Sequence, residues 1–455
     1  LKMTFQIFNR RTLIANQPAP NPVNGFITFN TNDQELIADL LNIDQQNAIG
    51  LRIYDTGTEY ATLVVENPDI MWEQLGEDIL GEPITEDKSG FSVSMSEDGS
   101  RIAIGAPGTT TGATPRVRMY EYNTAIPVPA WQQLGGDITG NPSELLGFSV
   151  SLNATGSVVA IGTPVTVTGL GKVAIYEYNA LNTWVQLGAD IERSDIATGD
   201  ELGSSVSLSA TGTRIAIGAP GSDRVAIYEY NTSIPIPAWE IVGQAGGIIF
   251  SETAKFGFSV SLSSDGTRVA IGSPEKDTAV NNAGKANLYE YVSAVNDWIQ
   301  LGGDIKGATT DEKTGYSVSL SGDGTRMSAG SPGASRTRVY QYDDPNLVQV
   351  GGDIIGDTVA EQSGFSVSLT NDGTRVAIGA PLGGSSDNGV TRVYDTSPTD
   401  WVKVGGDING DNNSVSGTSV SLSGTTGKYL AIGAPGTAPG TGFVGKTRIY
   451  EYVGV

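Results

Sequence analysis

The chain contains no cysteine and no histidine in 455 residues. The first absence excludes disulfides, thiolate nucleophiles and cysteine-ligated zinc, and leaves the redox compartment open. The second removes the usual general base and the commonest transition-metal ligand. Charged residues make up only 17% and aromatic residues 7%. Basic residues are scarcer than acidic ones, 27 against 50, for a formal charge of -23 that disfavours nucleic acid and anionic membrane surfaces as partners. No apolar run approaches the roughly 20 residues of a membrane-spanning helix, and no signal peptide is visible in the residues given.

What the chain has in abundance is glycine, 60 residues, arranged in a repeat. The phrase that opens at Gly90-Phe91-Ser92-Val93-Ser94 and closes at Ile104-Gly105-Ala106-Pro107 occurs seven times with small changes. Its leading glycines are Gly90, Gly147, Gly203, Gly257, Gly315, Gly364 and Gly417, in steps of 57, 56, 54, 58, 49 and 53 residues. Such a period marks a solenoid, a propeller or an array. Within one copy, Phe91, Val93 and Met95 alternate with Ser92, Ser94 and Ser96, the period-2 signature of a strand. Asp98-Gly99 then turns the chain into a second strand with Ile102 and Ile104 on one face, Ala103 and Gly105 on the other. A third strand such as Arg116 to Tyr122 follows a variable loop, and a fourth begins at Trp131. Four antiparallel strands repeated seven times predict an all-β, seven-bladed β-propeller. Blades converge on the axis, so the bulky face of one must nest on the small face of its neighbour. The serines read as packing residues, because nothing in the chain activates them as nucleophiles.

The six tryptophans, Trp72, Trp131, Trp184, Trp239, Trp298 and Trp401, open the fourth-strand motif, with Leu347 in that place once. Trp72 precedes the first hairpin, and no such motif follows Tyr452. The outer strand of the last blade is therefore expected from Trp72 to Gly76, paired near Thr447 to Tyr452, closing the ring and removing its open edge. The predicted domains are an arm and Pro-rich linker over 1–22, a small α+β unit over 23–70 with a helix opened by Asn32, and the propeller over 71–455.

Gly257-Phe258 followed by Ala270-Ile-Gly-Ser-Pro274, and Gly147-Phe148 with Gly162-Thr-Pro164, resemble the FG-GAP repeat. The resemblance covers the chain from Trp72 onward. It implies the seven-bladed propeller of integrin α subunits and of many microbial surface proteins, and a habit of extracellular or cell-surface binding. Relatives with the longer Trp-x-Gln-Leu-Gly-x-Asp-Ile signature are abundant in marine microbes and in large viruses of protists, which brings a virion surface into view. The family's calcium loops do not carry over, since turns such as Ser263-Ser-Asp-Gly-Thr-Arg268 are too short and too poor in oxygen ligands.

Candidate functional residues lie between the repeats. Asp78, Asp137, Asp190, Asp304, Asp353 and Asp407 share the Gly-x-Asp-Ile position; Asp87, Glu144, Asp200, Glu312 and Glu361 stand three residues before a leading glycine. Together they predict an acidic rim near one mouth of the channel. One reading makes each Gly-x-Asp-Ile aspartate a cap on backbone N-H groups of its own turn; the other makes the rim a site for cations, basic proteins or glycans. Asp407, Asn409 and Asp411 are the best calcium candidates, and no other cofactor is expected. The arm, with Phe5, Ile7, Phe8, Arg10 and Arg11, is the expected docking element toward a protein partner or a larger assembly, for instance as an added strand; a disordered tail is the other reading. The composition favours a noncatalytic binding or display scaffold over an enzyme. A structural protein of a virion or surface appendage and a carboxylate-based carbohydrate-active enzyme are the alternatives.

Overall fold

The structure, a computed structural model, describes residues 27–30, 50–55, 60–66 and 71–454, apart from 84–86, 109–113, 167–168, 194–196, 245–247, 251–254, 277–279, 386, 425 and 437–443. The arm and the helix expected at Asn32 lie outside them. The chain divides into two compact units, Leu1–Met71 and Trp72–Val455. In the first, Ile27–Asn30, Gly50–Asp55 and Tyr60–Glu66 form an antiparallel sheet with Tyr60–Glu66 in the centre, Ile27 and Ile53 both opposite Leu63.

The second unit is a seven-bladed β-propeller. Blade 1 runs outward from the axis through Ser92–Met95, Arg101–Ala106, Arg116–Asn123 and Ala130–Gln133. The inner strands of blades 2 to 7 are Ser149–Leu152, Ser205–Leu208, Ser259–Leu262, Ser317–Leu320, Ser366–Leu369 and Ser419–Leu422. Blade 7 takes its outer strand from the start of the unit, with Tyr450 opposite Gln74 and Tyr452 opposite Trp72. The chain is thereby closed as the tryptophan count predicted.

Packing between blades follows the alternation in sequence. Val150, Leu152 and Ile161 of blade 2 form one core cluster with Ala103, Val117 and Met119 of blade 1. The serines face the neighbour across this seam and bond to it. Ser92 Oγ donates to the Gly147 carbonyl at 2.8 Å, and Ser94 Oγ accepts from Leu152 N-H at 2.9 Å. The same pair recurs at every interface, including the closing one, where Ser419 donates to Gly90 and Ser421 accepts from Met95. Ala103 and Gly105 are small for the same reason: a Cβ on Gly105 would lie 2.1 Å from the Gly147 carbonyl oxygen.

Two further hydrogen-bond rings tie the blades together. At the inner turns, the N-H of Glu97 donates to Ala154, Ala154 to Ala210, Ala210 to Ser264, Ser264 to Gly322, Gly322 to Asn371, Asn371 to Gly424 and Gly424 back to Glu97, at 2.7–3.0 Å. At the periphery each tryptophan indole N-H reaches the outer strand of the preceding blade: Trp131 to Leu75, Trp184 to Leu134, Trp239 to Leu187, Trp298 to Val242, Trp401 to Val350 and Trp72 to Val404. Leu347 leaves that latch out between blades 4 and 5, because leucine has no donor. Tyr122, Tyr178, Tyr230, Tyr291 and Tyr452 pack on these tryptophans; the rings of Tyr122 and Trp131 stand 5.2 Å apart.

Candidate ligand site at the axial mouth

The ring has two faces. One carries the inner turns and the connections between third and fourth strands. The other carries the loops between second and third strands and the connections from blade to blade, and most of the sequence-predicted site residues lie on it.

Each Gly-x-Asp-Ile segment bends the outer edge of its blade. The glycine has a positive φ, +76° at Gly135 and +69° at Gly351, where the next blade's tryptophan leaves no room for a Cβ. After this bend the isoleucine pairs with the start of the third strand, Ile138 opposite Val117. The aspartate between them then meets basic side chains on that strand. Asp137 accepts from Arg118 at 3.0 and 3.1 Å, Asp353 from Arg338 at 2.9 Å and Arg336 at 2.9 Å, Asp407 from Arg392 at 3.1 Å, and Asp78 from Arg448 at 2.8 Å and Lys446 at 2.9 Å. Asp190 pairs with Lys172 at 3.2 Å; Asp304 accepts from Asn287 at 2.7 Å. A glutamine four residues earlier, such as Gln74, Gln133 or Gln349, supplies a further bond. Burial opposes ionisation of Asp78, Asp137, Asp304, Asp353 and Asp407, but these donors outweigh it and hold all five carboxyls below the usual range.

Two expectations are corrected by this geometry. The Gly-x-Asp-Ile aspartates do not cap their own turns; the second acidic set does. Asp87 accepts from Glu82 N-H, Glu144 from Asn141, Asp200 from Ala197, Glu312 from Ala308 and Thr309, and Glu361 from Asp357. Glu312 and Glu361 also receive Arg336 and Arg392, so in blades 5 and 6 the guanidinium groups sit between an acid that precedes the blade and one that follows it. Nor is the rim an open row of carboxylates, since basic side chains of the third strands pair with most of the Gly-x-Asp-Ile aspartates. The calcium candidates do not converge: Asp407 faces Arg392 and Lys403, while Asp411 faces Lys446 and Arg448 of blade 7. Among the described residues no group of three or more acidic side chains is placed to hold a metal ion. Asp87 stands apart, 2% exposed, with burial pushing its carboxyl up.

The sequence hid a different feature of this face. The residue after each leading glycine is Phe91, Phe148, Ser204, Phe258, Tyr316, Phe365 or Thr418. The leading glycine has φ between +82° and +90°, and the following N-H is tied back three residues, as Phe91 N-H to Lys88 and Tyr316 N-H to Lys313, both 3.1 Å. This turn delivers each side chain to the start of an inner strand, at the channel mouth. Ring centroids of Phe91 and Phe148, Phe258 and Tyr316, and Tyr316 and Phe365 all stand 4.8 Å apart across blade boundaries. Seven positions at that spacing close on a circle of about 5 Å radius around the axis. The five rings are half-buried, so part of each remains open to the mouth. Ser204 and Thr418 interrupt the collar as two notches, their hydroxyls donating to Glu201 and Val415 carbonyls at 2.9 and 2.7 Å and keeping lone pairs free. Burial pushes the Tyr316 hydroxyl up to about 12; like any phenol it is a donor at neutral pH.

No protein-family model matches the chain, and no curated protein matches it. Solved structures do: one, described as "a putative 6-phosphogluconolactonase from Bacteroides uniformis", aligns over 80% of this chain and 92% of its own with a TM-score of 0.51 at 13% identity. At that identity the likeness concerns the fold alone. It nevertheless overturns the expectation of a noncatalytic display scaffold, which rested on the repeats, the acidity and the absence of histidine and cysteine. A ring of the same build is described as an enzyme.

Proposed function

We propose that the propeller binds a small cyclic ligand at its axial mouth, seated on the collar of Phe91, Phe148, Phe258, Tyr316 and Phe365. The observation that carries this reading is the collar itself: five aromatic side chains at equivalent positions, in contact across blade seams and partly exposed. Buried packing alone does not need them, because blades 3 and 7 pack with Ser204 and Thr418 in the same place. Aromatic faces bind C-H-rich ring faces such as those of a pyranose or a lactone. Tyr316 supplies a donor and the two notches supply acceptors, a set suited to a ligand with hydroxyl groups. The seven units, four opening on Gly-Phe and four closing on Gly-Ala-Pro, support kinship with FG-GAP propellers, a class that places binding on this kind of ring.

The test is calorimetry with a panel of monosaccharides, sugar phosphates and their lactones, the last chosen from the neighbour's description. The same samples report lactone opening by released acid. Binding that is lost in both Phe148→Ser and the notch-filling Thr418→Phe supports the site, and binding that survives both removes it.

A further inference from the structure

Blade 4 departs from its neighbours in where it puts lysine. Five of the chain's eleven lysines, Lys255, Lys276, Lys285, Lys306 and Lys313, fall between residues 255 and 313. Backbone pairing gathers three of them at one corner of the connection face. Lys285 opens the third strand, Lys285–Val292, and Lys306 ends the fourth, Asp297–Lys306, directly opposite it. Lys276 stands on the turn after the second strand, where its carbonyl accepts the N-H of Gly284 at 2.9 Å. The Lys306 side chain is 57% exposed, so the corner is open to solvent.

Other blades avoid this arrangement. The residue opposite the cation that opens the third strand is Thr139 for Arg116, Phe250 for Arg224, Ile355 for Arg336 and Leu80 for Lys446. Blade 4 differs because its outer strand runs on unbroken to Lys306, through a register shift between Ala286 and Leu288. Like charges directly opposite in a sheet oppose folding. Cations at this position are also paired elsewhere: Arg116 meets Glu82 and Lys172 meets Asp190 at 3.2 Å, while Arg336 meets Asp353 and Lys446 meets Asp78 at 2.9 Å. Among the described residues Lys285 forms no ion pair. Asp304, its counterpart acid, accepts instead from Asn287 at 2.7 Å and Gln300 at 3.0 Å, and meets Lys306 at 3.6 Å. In sequence, Ala254 stands where Glu312 precedes blade 5. Of the acids beside Lys276, Glu275 lines a recess with Asn282, Asp311, Lys313 and Gly333, and Asp277 lies outside the described residues. Burial pushes the Lys285 ammonium below the usual lysine range, Asp304 pulls it back in part, and Lys276 and Lys306 add to the fall.

A neutral donor completes the row. Ser273 lies opposite Lys285 on its other side, 0% exposed, and its Oγ has no hydrogen-bond partner. Residues directly opposite across strands share one face, so Ser273, Lys285 and Lys306 stand in line. We infer that Lys285, Lys306 and Lys276, with Ser273, form a site for a tetrahedral oxyanion, the phosphate or sulfate group of a ligand. A dianion there takes the place of the acids that other blades supply, relieves the repulsion between the lysines and gives the Ser273 hydroxyl an acceptor. The inference stands whether or not the collar takes a ligand, since the two sites share no residue.

The test follows acetylation of each lysine of the full chain by dilute acetic anhydride, read by mass spectrometry. Inorganic phosphate or sulfate is added in separate arms up to about 20 mM, with chloride holding the ionic strength constant, and Lys285 and Lys306 are expected to slow at least about threefold relative to Lys172 and Lys428. The oxyanion that protects them names the group the site takes. A second readout is the thermal midpoint. That oxyanion should raise it in the wild type and in Lys172→Met, the matched position of blade 2, and at least about half of the rise should be lost in Lys285→Met, which keeps the apolar stem. Equal slowing of all four lysines in both arms overturns the inference, as does a midpoint rise that is the same in Lys285→Met as in the wild type.

Discussion

The two faces of the ring solve opposite problems with the same repeat. On the inner-turn face, successive hairpins differ little, and the backbone ring from Glu97 through Gly424 back to Glu97 uses no side chain at all. On the connection face each blade differs, and acidic residues that look like a row in sequence are absorbed one by one by Arg118, Lys172, Arg338, Arg392 and Arg448. A run of like charge in a repeat protein therefore says little about surface potential until the strand opposite is read. The connection face, which looks charged, is largely compensated, and the inner-turn face carries the exposed aliphatic tips Val128, Leu181, Ile236 and Val295.

The largest effect expected comes from opening the ring, which both faces share. Removing residues 71–80 strips blade 7 of its outer strand and deletes Trp72, 6% exposed and bonded to Val404. We expect loss of a cooperative thermal transition by circular dichroism, since large-to-small change at a buried tryptophan alone costs about 3–5 kcal/mol. An unchanged midpoint would separate ring closure from stability.

Next comes Gly162→Ala, where the added carbon would sit 2.0 Å from the Gly203 carbonyl oxygen and 2.3 Å from Ser149 Oγ. It breaks one seam without touching either face, at a cost of about 3 kcal/mol by urea denaturation. Ser151→Ala is milder. It removes the acceptor of Leu208 N-H, 2.9 Å away, leaving that group unpaired at about 1–2 kcal/mol.

Acid weakens both faces, since at the inner turns too the donors around Asp98, Asp265, Asp323 and Asp372 outweigh burial and hold those carboxyls below the usual range. Asp78, Asp137, Asp304, Asp353 and Asp407 have folded pKa values below the ordinary carboxylate value, so the stability they contribute is complete above about pH 4 and is lost as pH falls through their folded values. Asp87 runs the other way. Its raised pKa means that it destabilises the fold when ionised, a penalty relieved as pH falls. Carboxyls held low, these five together with Asp98, Asp265, Glu312, Asp323, Asp372 and others, outnumber Asp87 and predict net acid destabilisation. Asp353→Asn should shrink the difference in unfolding free energy between pH 6 and pH 3 by about 1 kcal/mol, a small figure because the side chain is 26% exposed.

Much of this fold was legible in sequence because each rule repeats seven times. The alternation of Phe91, Val93 and Met95 with serines announced inner strands, and the displaced Trp72 announced closure. The candidate site was less legible. The rim acids stood out by register, but their partners are two strands away, and only a three-dimensional pairing such as Ile138 opposite Val117 brings Arg118 to Asp137. The collar was read as part of a buried bulky face, because Phe91 continues the strand alternation. Its signal was the variation after each leading glycine, aromatic five times and hydroxyl-bearing at Ser204 and Thr418, a contrast that uniform core packing does not produce.

The central claim is ligand binding at that collar, and the most direct measurement is calorimetric titration of the sugar and lactone panel into the wild type, Phe148→Ser and Thr418→Phe. The collar reading predicts at least one ligand for the wild type and a loss of at least about tenfold in affinity in both variants, with thermal midpoints still above the assay temperature. Equal affinity in all three chains, or no heat from any ligand with the wild type, would contradict it.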